Sequence, residues 1–518
     1  MMKKIHLLLA FVTLFAMAAS CESTSESTVV ETPYYGEKYR PQIHFSPEEK
    51  WMNDPNGMVY YDGEYHLFYQ YYPDSTVWGP MHWGHAISTD LVHWEHLPIA
   101  LYPDELGLIF SGSAVIDWNN SSGLQEGEHP PMIAIFTQHL MAGEKDGKDD
   151  FQVQSIAYSN DKGRNWKMYD GNPVIPNPNI RDFRDPKVFW HKASQQWVMI
   201  FAAGDRVRLY NSPNLIDWTY QSEFGAELGA HGGVWECPDL FQLKTETGES
   251  HWVMLVSINP GGPNGGSATQ YFIGDFDGKR FSTSQKEVKW LDYGRDNYAG
   301  VTWSDVPEDD GRRLFIGWMS NWDYARDTPT ENWRSAMTLP RSLALKKIEE
   351  DYVLTNTPLK NLNLLAKSVL SRGPKVEPLQ KEILYQDGLQ QSKISFSTLS
   401  GEFNIKLQNE EGEFVELTMD KTNNAFLLDR MNSGKVDFQS EFGNKKHYMP
   451  IDYLGDTPVE ITIMVDWSSI EVFLNNGLYT MTQQIFPTTP YNQLVMENKS
   501  KEFAIEDLVV EKMESIWD

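Results

Sequence analysis

From Pro41 to about Leu345 the chain repeats one pattern of polar and apolar positions. A polar or acidic turn opens an apolar strand, a second turn follows, and an apolar-aromatic strand comes next. The copies start at Asn53 (NDPNGMVYYDGEYHLFYQ), Phe110 (FSGSAVID, then PMIAIFTQ) and Arg184 (RDPKVFWHKASQQWVMIFAA). Two more start at Glu236 (ECPDLFQL, then HWVMLVSI) and Ala299 (AGVTWSD, then RRLFIGWM). Alternating and β-branched residues mark strands, and Asp62-Gly63 marks a hairpin turn. Three copies carry a second echo: Ser88-Thr89-Asp90 leading to Trp94, Ser159-Asn160-Asp161 to Trp166, and Ser212-Pro213-Asn214 to Trp218. Each reads as the outer hairpin of the same unit. Five units at a spacing of roughly 50–75 residues predict a five-bladed propeller with four strands per blade.

After Lys346 the pattern changes. Lys and Glu rise, aromatics thin out, and from about Gln380 short alternating strands run to the end: KISFSTLSGEFNIKLQ, GEFVELTMD, VEITIMVDWSSIEVFLNNG and EFAIEDLVVEKM. This reads as a β-sandwich. The stretch from Leu359 to Gly373 has helix-like spacing and reads as connecting chain. The expected class is therefore all-β: a five-bladed β-propeller over 41–345, a linker over 346–379 and a C-terminal β-sandwich over 380–518.

The N-terminus reads as an address. Lys3 and Lys4 precede an apolar run from Ile5 to Ala19, then Ser20 and Cys21. A basic start, a short apolar stretch and small residues predict an export signal over 1–21. The run is short for a transmembrane helix. Small residues before a cysteine resemble a bacterial lipoprotein signal, with lipidation of Cys21; Ala18 stands where that pattern most often has Leu. Ala16-Met17-Ala18 would alternatively serve an ordinary signal peptidase. Glu22 to Thr32 is Ser/Thr/Glu-rich, so 22–40 is expected to be a flexible tether. These readings place the protein outside the cytoplasm, in the periplasm or on the cell surface. A lipid anchor on Cys21 is the one membrane attachment expected.

Composition narrows the partners. The net charge of -28 would repel nucleic acids, anionic membranes and acidic polysaccharides, which favours a neutral partner. Aromatic residues make up 13% of the chain, with 18 Trp and 24 Tyr, enough both for sheet cores and for stacking on sugar rings. Two cysteines, Cys21 and Cys237, argue against a disulfide framework. No Cys/His cluster has zinc spacing and no Gly-rich loop precedes Lys-Ser/Thr, so no metal and no cofactor are expected; GGPNGG at Gly261–Gly266 reads as a loop. His82, His85, His93 and His96 crowd one segment, but strand and turn alternation separates their directions, and packing of Trp-His pairs between blades accounts for them better than a metal.

The chemistry is carried by three acidic motifs: WMNDPNG at Trp51–Gly57, FRDPK at Phe183–Lys187 and WECPDL at Trp235–Leu240. Their carboxylates, Asp54, Asp185 and Glu236, open the first strands of three units. In a propeller the first strand of each blade lines the central channel, so distant carboxylates in equivalent positions meet at one pocket. Cleavage of a glycosidic bond needs such a set: an acid for the leaving oxygen and a carboxylate at the anomeric carbon.

These motifs, with the terminal strand DWSSIEVFLNNG, resemble glycoside hydrolase family 32, the invertases, inulinases and levanases. The resemblance runs from Pro41 to about Trp517 and implies a five-bladed propeller followed by a sandwich. It implies Asp54 as nucleophile, Glu236 as acid/base and Asp185 as transition-state stabiliser, in a retaining scheme with the carboxyl pair about 5–5.5 Å apart. It further implies that Asn53, Gln70, Ser111 and Arg184 bond sugar hydroxyls, that Trp78, Phe110 and Trp318 wall the terminal pocket, and that Tyr298 sits near the acid/base. Cys237 would tune the site or simply pack, and Asp239 would hold its loop. The implied substrate is a neutral fructose-containing oligo- or polysaccharide such as levan, inulin or sucrose. DYGRDNYAGVTW at Asp292–Trp303 resembles exo-acting members; endo action, fructosyl transfer, a non-catalytic glycan-binding lipoprotein and an inverting arabinan-type hydrolase remain as alternatives. The sequence leaves the oligomeric state open.

Overall fold

A computed structural model describes residues 35–373, 375–455 and 458–517. The expected export signal, Cys21 and residues 22–34 lie outside the described residues. Strands dominate, and the described helical segments are the single turn Met141–Lys145 and the 3-10 turn Lys360–Leu365.

Five antiparallel sheets of four main strands follow one another along the chain. Their first strands are Lys50–Tyr61, Leu108–Ile116, Phe183–His191, Val234–Lys244 and Tyr298–Thr302. Each first strand touches the next, and the fifth touches the first, so the five close a ring around a channel. The closure is reinforced by backbone pairing of Trp333–Arg334, from the fifth blade, beside Lys50–Trp51 of the first. Apolar clusters between adjacent blades glue the ring: Val115, Ile133 and Ile156 meet Val188, Met199 and Phe201, for example. This is the predicted propeller. Blade-to-blade burial of two sheet faces explains why the inner strands read as nearly unbroken apolar runs.

The predicted boundaries shift. Strand Arg341–Ile348 runs through position 345 and pairs in full register with Asp351–Pro358, so the fifth blade extends to Pro358. The charged run Lys346–Glu350 that signalled a domain end is the solvated rim of an outer hairpin. Beyond it, the Leu-rich spacing is a 3-10 turn that buries Leu362 and Leu365, and Ala366–Arg372 is already a sandwich strand paired with Ile505–Met513. Little of 346–379 is linker. Residues 35–40 are likewise packed rather than loose: Tyr35 stacks on Trp517 at 3.9 Å, and the buried Arg40 donates to Ser46 and to the Pro47 and Glu48 carbonyls.

The C-terminal domain is two six-stranded sheets face to face. Strands such as Ser392–Thr398 and Glu402–Gln408 alternate buried and open positions residue by residue, as a half-solvated sheet requires. A buried ionic network fastens this domain to the propeller. Arg341 bonds Asp292 at 3.1 Å and Glu471 at 2.9 Å, Arg430 bonds Asp296 at 2.7 Å, and His44 bonds Asp466 at 2.8 Å.

Candidate active site

Every inner strand breaks its pairing with the second strand at the same level. Two residues stand opposite one in all five blades: Asn53-Asp54 opposite Gln70, Phe110-Ser111 opposite Thr137, Asp185-Pro186 opposite Phe201, Cys237-Pro238 opposite Val256, and Ala299-Gly300 opposite Gly317. Such bulges bend a strand and re-aim its side chains. Asp185, Cys237 and Ala299 carry left-handed backbone angles (φ 66, 44 and 52°), a conformation that costs energy for residues with a Cβ. Each of Asp54, Ser111, Asp185, Cys237 and Ala299 directly precedes a proline or glycine. The five residues before them are Asn53, Phe110, Arg184, Glu236 and Tyr298. Two rows of five residues therefore crown one mouth of the channel, and they hold all three sequence-selected carboxylates.

The contacts within these rows are dense. Asp54 accepts from Ser111 Oγ at 2.8 Å and Asn53 Nδ2 at 3.0 Å, and Asn53 Oδ1 is fixed by Trp51 Nε1 at 2.7 Å. Asp185 accepts the Cys237 amide at 3.0 Å, while its own amide donates to Thr137 Oγ1 at 3.0 Å. The Cys237 thiol lies 3.5 Å from Asp54 Oδ2 and 3.6 Å from Asp185 Oδ2, so it bridges two of the three carboxylates. Glu236 accepts from Arg184 Nη2 at 3.0 Å and Nε at 3.2 Å on one oxygen, and from the Tyr298 hydroxyl on the other. Arg184 also bonds Asp182 at 2.6 Å.

Charge is unbalanced here. Asp54, Asp185 and Glu236 face one guanidinium. Burial, then the Glu236 charge, raises Asp54 above the usual carboxylate value, against the bonds from Asn53 and Ser111. Burial pushes Asp185 up to about 7; Arg184 opposes this, and Glu236 and Asp54 add to it. Burial works against the charge of Arg184, yet Glu236, Asp185 and Asp182 hold it above its ordinary value. Burial and the Glu236 charge keep Tyr298 protonated far above its usual range, so its hydroxyl stays a donor. Asp54 and Asp185 are thus both displaced toward their protonated forms.

The remaining predicted residues divide. Gln70 is buried opposite the first bulge with its Nε2 unpartnered. Half-buried Trp78 packs edge-on against Phe110 at 6.0 Å, and His139 stacks on the other ring at 4.4 Å. Trp318 departs from expectation: it is 0% exposed, wedged among Trp51, Tyr298 and Trp322, and presents no surface to a pocket. The ring with accessible surface is Trp322, half-buried, 4.9 Å from Trp318 and stacked on Trp51 at 5.9 Å. Trp322, Thr137 and Asp182 are site neighbours that sequence reasoning passed over; Asp182 alone had a signal, an acid two residues before Arg184. The four clustered histidines scatter. His85 meets His66 at 3.0 Å and stacks on Phe68, His93 meets Asp90, His96 meets the Tyr35 hydroxyl at 2.7 Å, and His82 accepts an edge contact from Tyr102. Their partners are these groups rather than tryptophans between blades, apart from His96 stacked on Trp517. Among the described residues no group of three or more His, Cys, Asp or Glu is arranged to hold a metal.

Comparison with known proteins agrees with this geometry. Residues 44–358 match the glycosyl hydrolases family 32 N-terminal domain, and residues 363–512 match the family 32 C-terminal domain. A levanase of Bacillus subtilis (strain 168) is 47% identical over 528 residues, covering 100% of this chain and 76% of that protein. An extracellular exo-inulinase of Aspergillus awamori is 41% identical over 499 residues, covering 88% of this chain and 91% of its own. The crystal structure of exo-inulinase from Aspergillus awamori superposes with a TM-score of 0.82 at 37% identity, over 93% of this chain and 100% of that one. The two family domains meet where the fifth blade gives way to the first sandwich strand, and with relatives similar along most of their length the chain belongs to glycosyl hydrolase family 32.

Proposed function

We propose that this glycoside hydrolase releases β-D-fructose from the non-reducing ends of fructans, levan and inulin above all, and also splits sucrose, through a fructosyl-enzyme on Asp54. The observation that carries the reading is the convergence of Asp54, Asp185 and Glu236 from three of the five bulged inner strands, in a chain whose relatives are named levanase and exo-inulinase.

In this reading Asp54 attacks the anomeric carbon of a terminal fructosyl unit. Ser111 and Asn53 hold its carboxylate in place and favour its charged form. Glu236 gives a proton to the leaving oxygen as the glycosidic bond breaks, then takes one from the water that hydrolyses the fructosyl ester, which restores Asp54. The Tyr298 hydroxyl and Arg184 steer the two Glu236 oxygens. Asp185, fixed by the Cys237 amide, grips ring hydroxyls as positive charge grows on the sugar. The unpartnered Gln70 amide supports a role in binding a sugar hydroxyl, and Trp78, Phe110 and Trp322 are the apolar wall. Cys237 acts through its amide and by packing rather than as a nucleophile: burial and the neighbouring carboxylates push its thiol well above the usual range. The exo-acting relatives support end-on attack. The name of one relative as extracellular supports export, with Cys21 lipidated and the enzyme facing the periplasm or the outside.

The test is product analysis of the mature chain on levan, inulin and sucrose, with Asp54→Ala as control. Free fructose from the earliest time points, without short oligomers, is expected from all three. A ladder of oligosaccharides would overturn the exo assignment, and no release from any of them would overturn the fructan reading.

A further inference from the structure

The channel has a second mouth, at the far ends of the same inner strands. A cavity of about 1060 Å³ opens there, lined by the later halves of the strands that carry the carboxylates at their starts: Phe189–His191 after Asp185, and Leu240–Gln242 after Glu236. The cavity reaches inward along these strands to Lys187 and Asp239, two residues beyond Asp185 and Cys237. Between this cavity and the carboxylates lies a void of about 10 Å³ beside Pro55, Pro186 and Pro238, too small for a sugar.

We infer that this second mouth is a non-catalytic binding site for a neutral oligosaccharide. Three features select that ligand class. The first is size: the cavity is at the top of the range of small-molecule pockets, about 300–1,000 Å³, and suits several linked sugars better than one.

The second is a rigidly displayed aromatic face. Of the 18 tryptophans, Trp118 is the one classed as exposed, at 56%. It is not loose. Its Nε1 donates to Asp305 Oδ1 at 2.8 Å, Asp305 Oδ2 is itself held by the Ile116 amide at 2.9 Å, and the ring stands edge-on to Tyr61 at 5.6 Å. Half-buried Trp190 and Trp252 add further ring surface to the same cavity. An exposed indole pinned by its own N–H offers its face to the apolar side of a sugar ring at little entropic cost.

The third is charge. In a chain with a net charge of -28, this lining is neutral. The cations Lys187, Lys192, Arg312 and Arg313 are matched in number by Asp239, Asp277, Asp305 and Glu308. Lys187 lies 3.6 Å from Asp239, Lys192 pairs with Glu308, and Arg312 pairs with Asp310 at 2.6 Å. Arg313 is the exception: it sits over the Phe241 ring at 4.9 Å and donates no hydrogen bond among the described residues. A balanced lining with one unspent fork of donors discriminates against anions and cations alike and welcomes hydroxyls.

The identity of the sugar as fructan rests on the function proposed above; the existence of the site does not. The test uses the full mature chain. Migration is followed in native gels containing levan, inulin or other neutral polysaccharides, with Asp54→Ala in the background to stop turnover. Trp118→Ala is expected to weaken retardation about tenfold, Trp118→Phe to keep most of it, and Arg313→Gln to weaken it by about threefold. With active enzyme, Trp118→Ala is expected to raise KM on long fructan and to leave sucrose hydrolysis unchanged. Unaltered retardation and unaltered KM in Trp118→Ala and Arg313→Gln would overturn the site. If fructans are neither bound nor cleaved by the parent chain, the function reading fails. Trp118-dependent retardation by another neutral polysaccharide would then still support the site, and its absence from every gel would overturn it.

Discussion

The two mouths of the propeller channel are built by the same five strands, yet they treat charge and backbone in opposite ways. At the catalytic mouth three carboxylates lean on Arg184, every strand is bulged, and three non-glycine residues are held left-handed. At the far mouth the pairing runs in regular register through His191 and Lys244, and lysines meet carboxylates nearly one to one. The fold accepts strain and uncompensated charge at the mouth proposed to break bonds. Elsewhere the same strands satisfy themselves.

The largest expected effect lies at the strained mouth. Asp54→Ala should lower kcat by about 10⁴-fold or more, with Tm and gel retardation through the far mouth preserved. Arg184→Lys keeps the charge but loses the fork that spans Glu236 and Asp182, and should cost about 10²-fold in kcat. Tm would hold near the parent value.

Asp185→Asn separates activity from stability. Asp185 holds its proton up to about 7 in the fold, against an ordinary value of 3.8. The folded state therefore binds more protons between those values, and the carboxyl subtracts from stability increasingly as pH rises from about 4 to about 7. Removing it should leave stability near pH 4 unchanged and raise it at pH 8 by on the order of 2 kcal/mol, while kcat falls about 10³-fold. Urea melts at the two pH values check this. An equal effect at both would contradict the charge account.

The smallest effect distinguishes two neighbouring indoles. Trp322→Ala should raise KM about tenfold with Tm little changed, because the ring keeps accessible surface beside the Trp51 that fixes Asn53. Trp318→Phe should leave KM near the parent value and lower Tm, because its ring is core.

Much of this was legible in the chain. The repeat of turn and apolar strand marked all five inner strands to within three residues of their starts, since burial on both faces leaves an apolar run. The carboxylates were legible because each stands one or two residues before a proline, among aromatic and small residues. What was hidden follows from the same physics. The later part of the outer hairpin, residues 346–358, looked like a linker because blade rims are solvated and charged. Trp318 looked like pocket wall because sequence gives no depth, and only the packing of Trp51, Tyr298 and Trp322 shows it to lie behind. The packed state of residues 35–40 depends on Trp517, almost five hundred residues away, which no local pattern reveals.

The central claim is that Asp54 carries the sugar while Glu236 moves the proton. It is tested most directly by offering β-fructofuranosyl fluoride, whose leaving group needs no proton, to the Glu236→Ala enzyme, with acid quench and peptide mass analysis. The account predicts that a fructosyl adduct accumulates on the peptide containing Asp54, because it forms without the acid and cannot be hydrolysed without the base. Fluoride release with no adduct, or an adduct on Asp185, would contradict it.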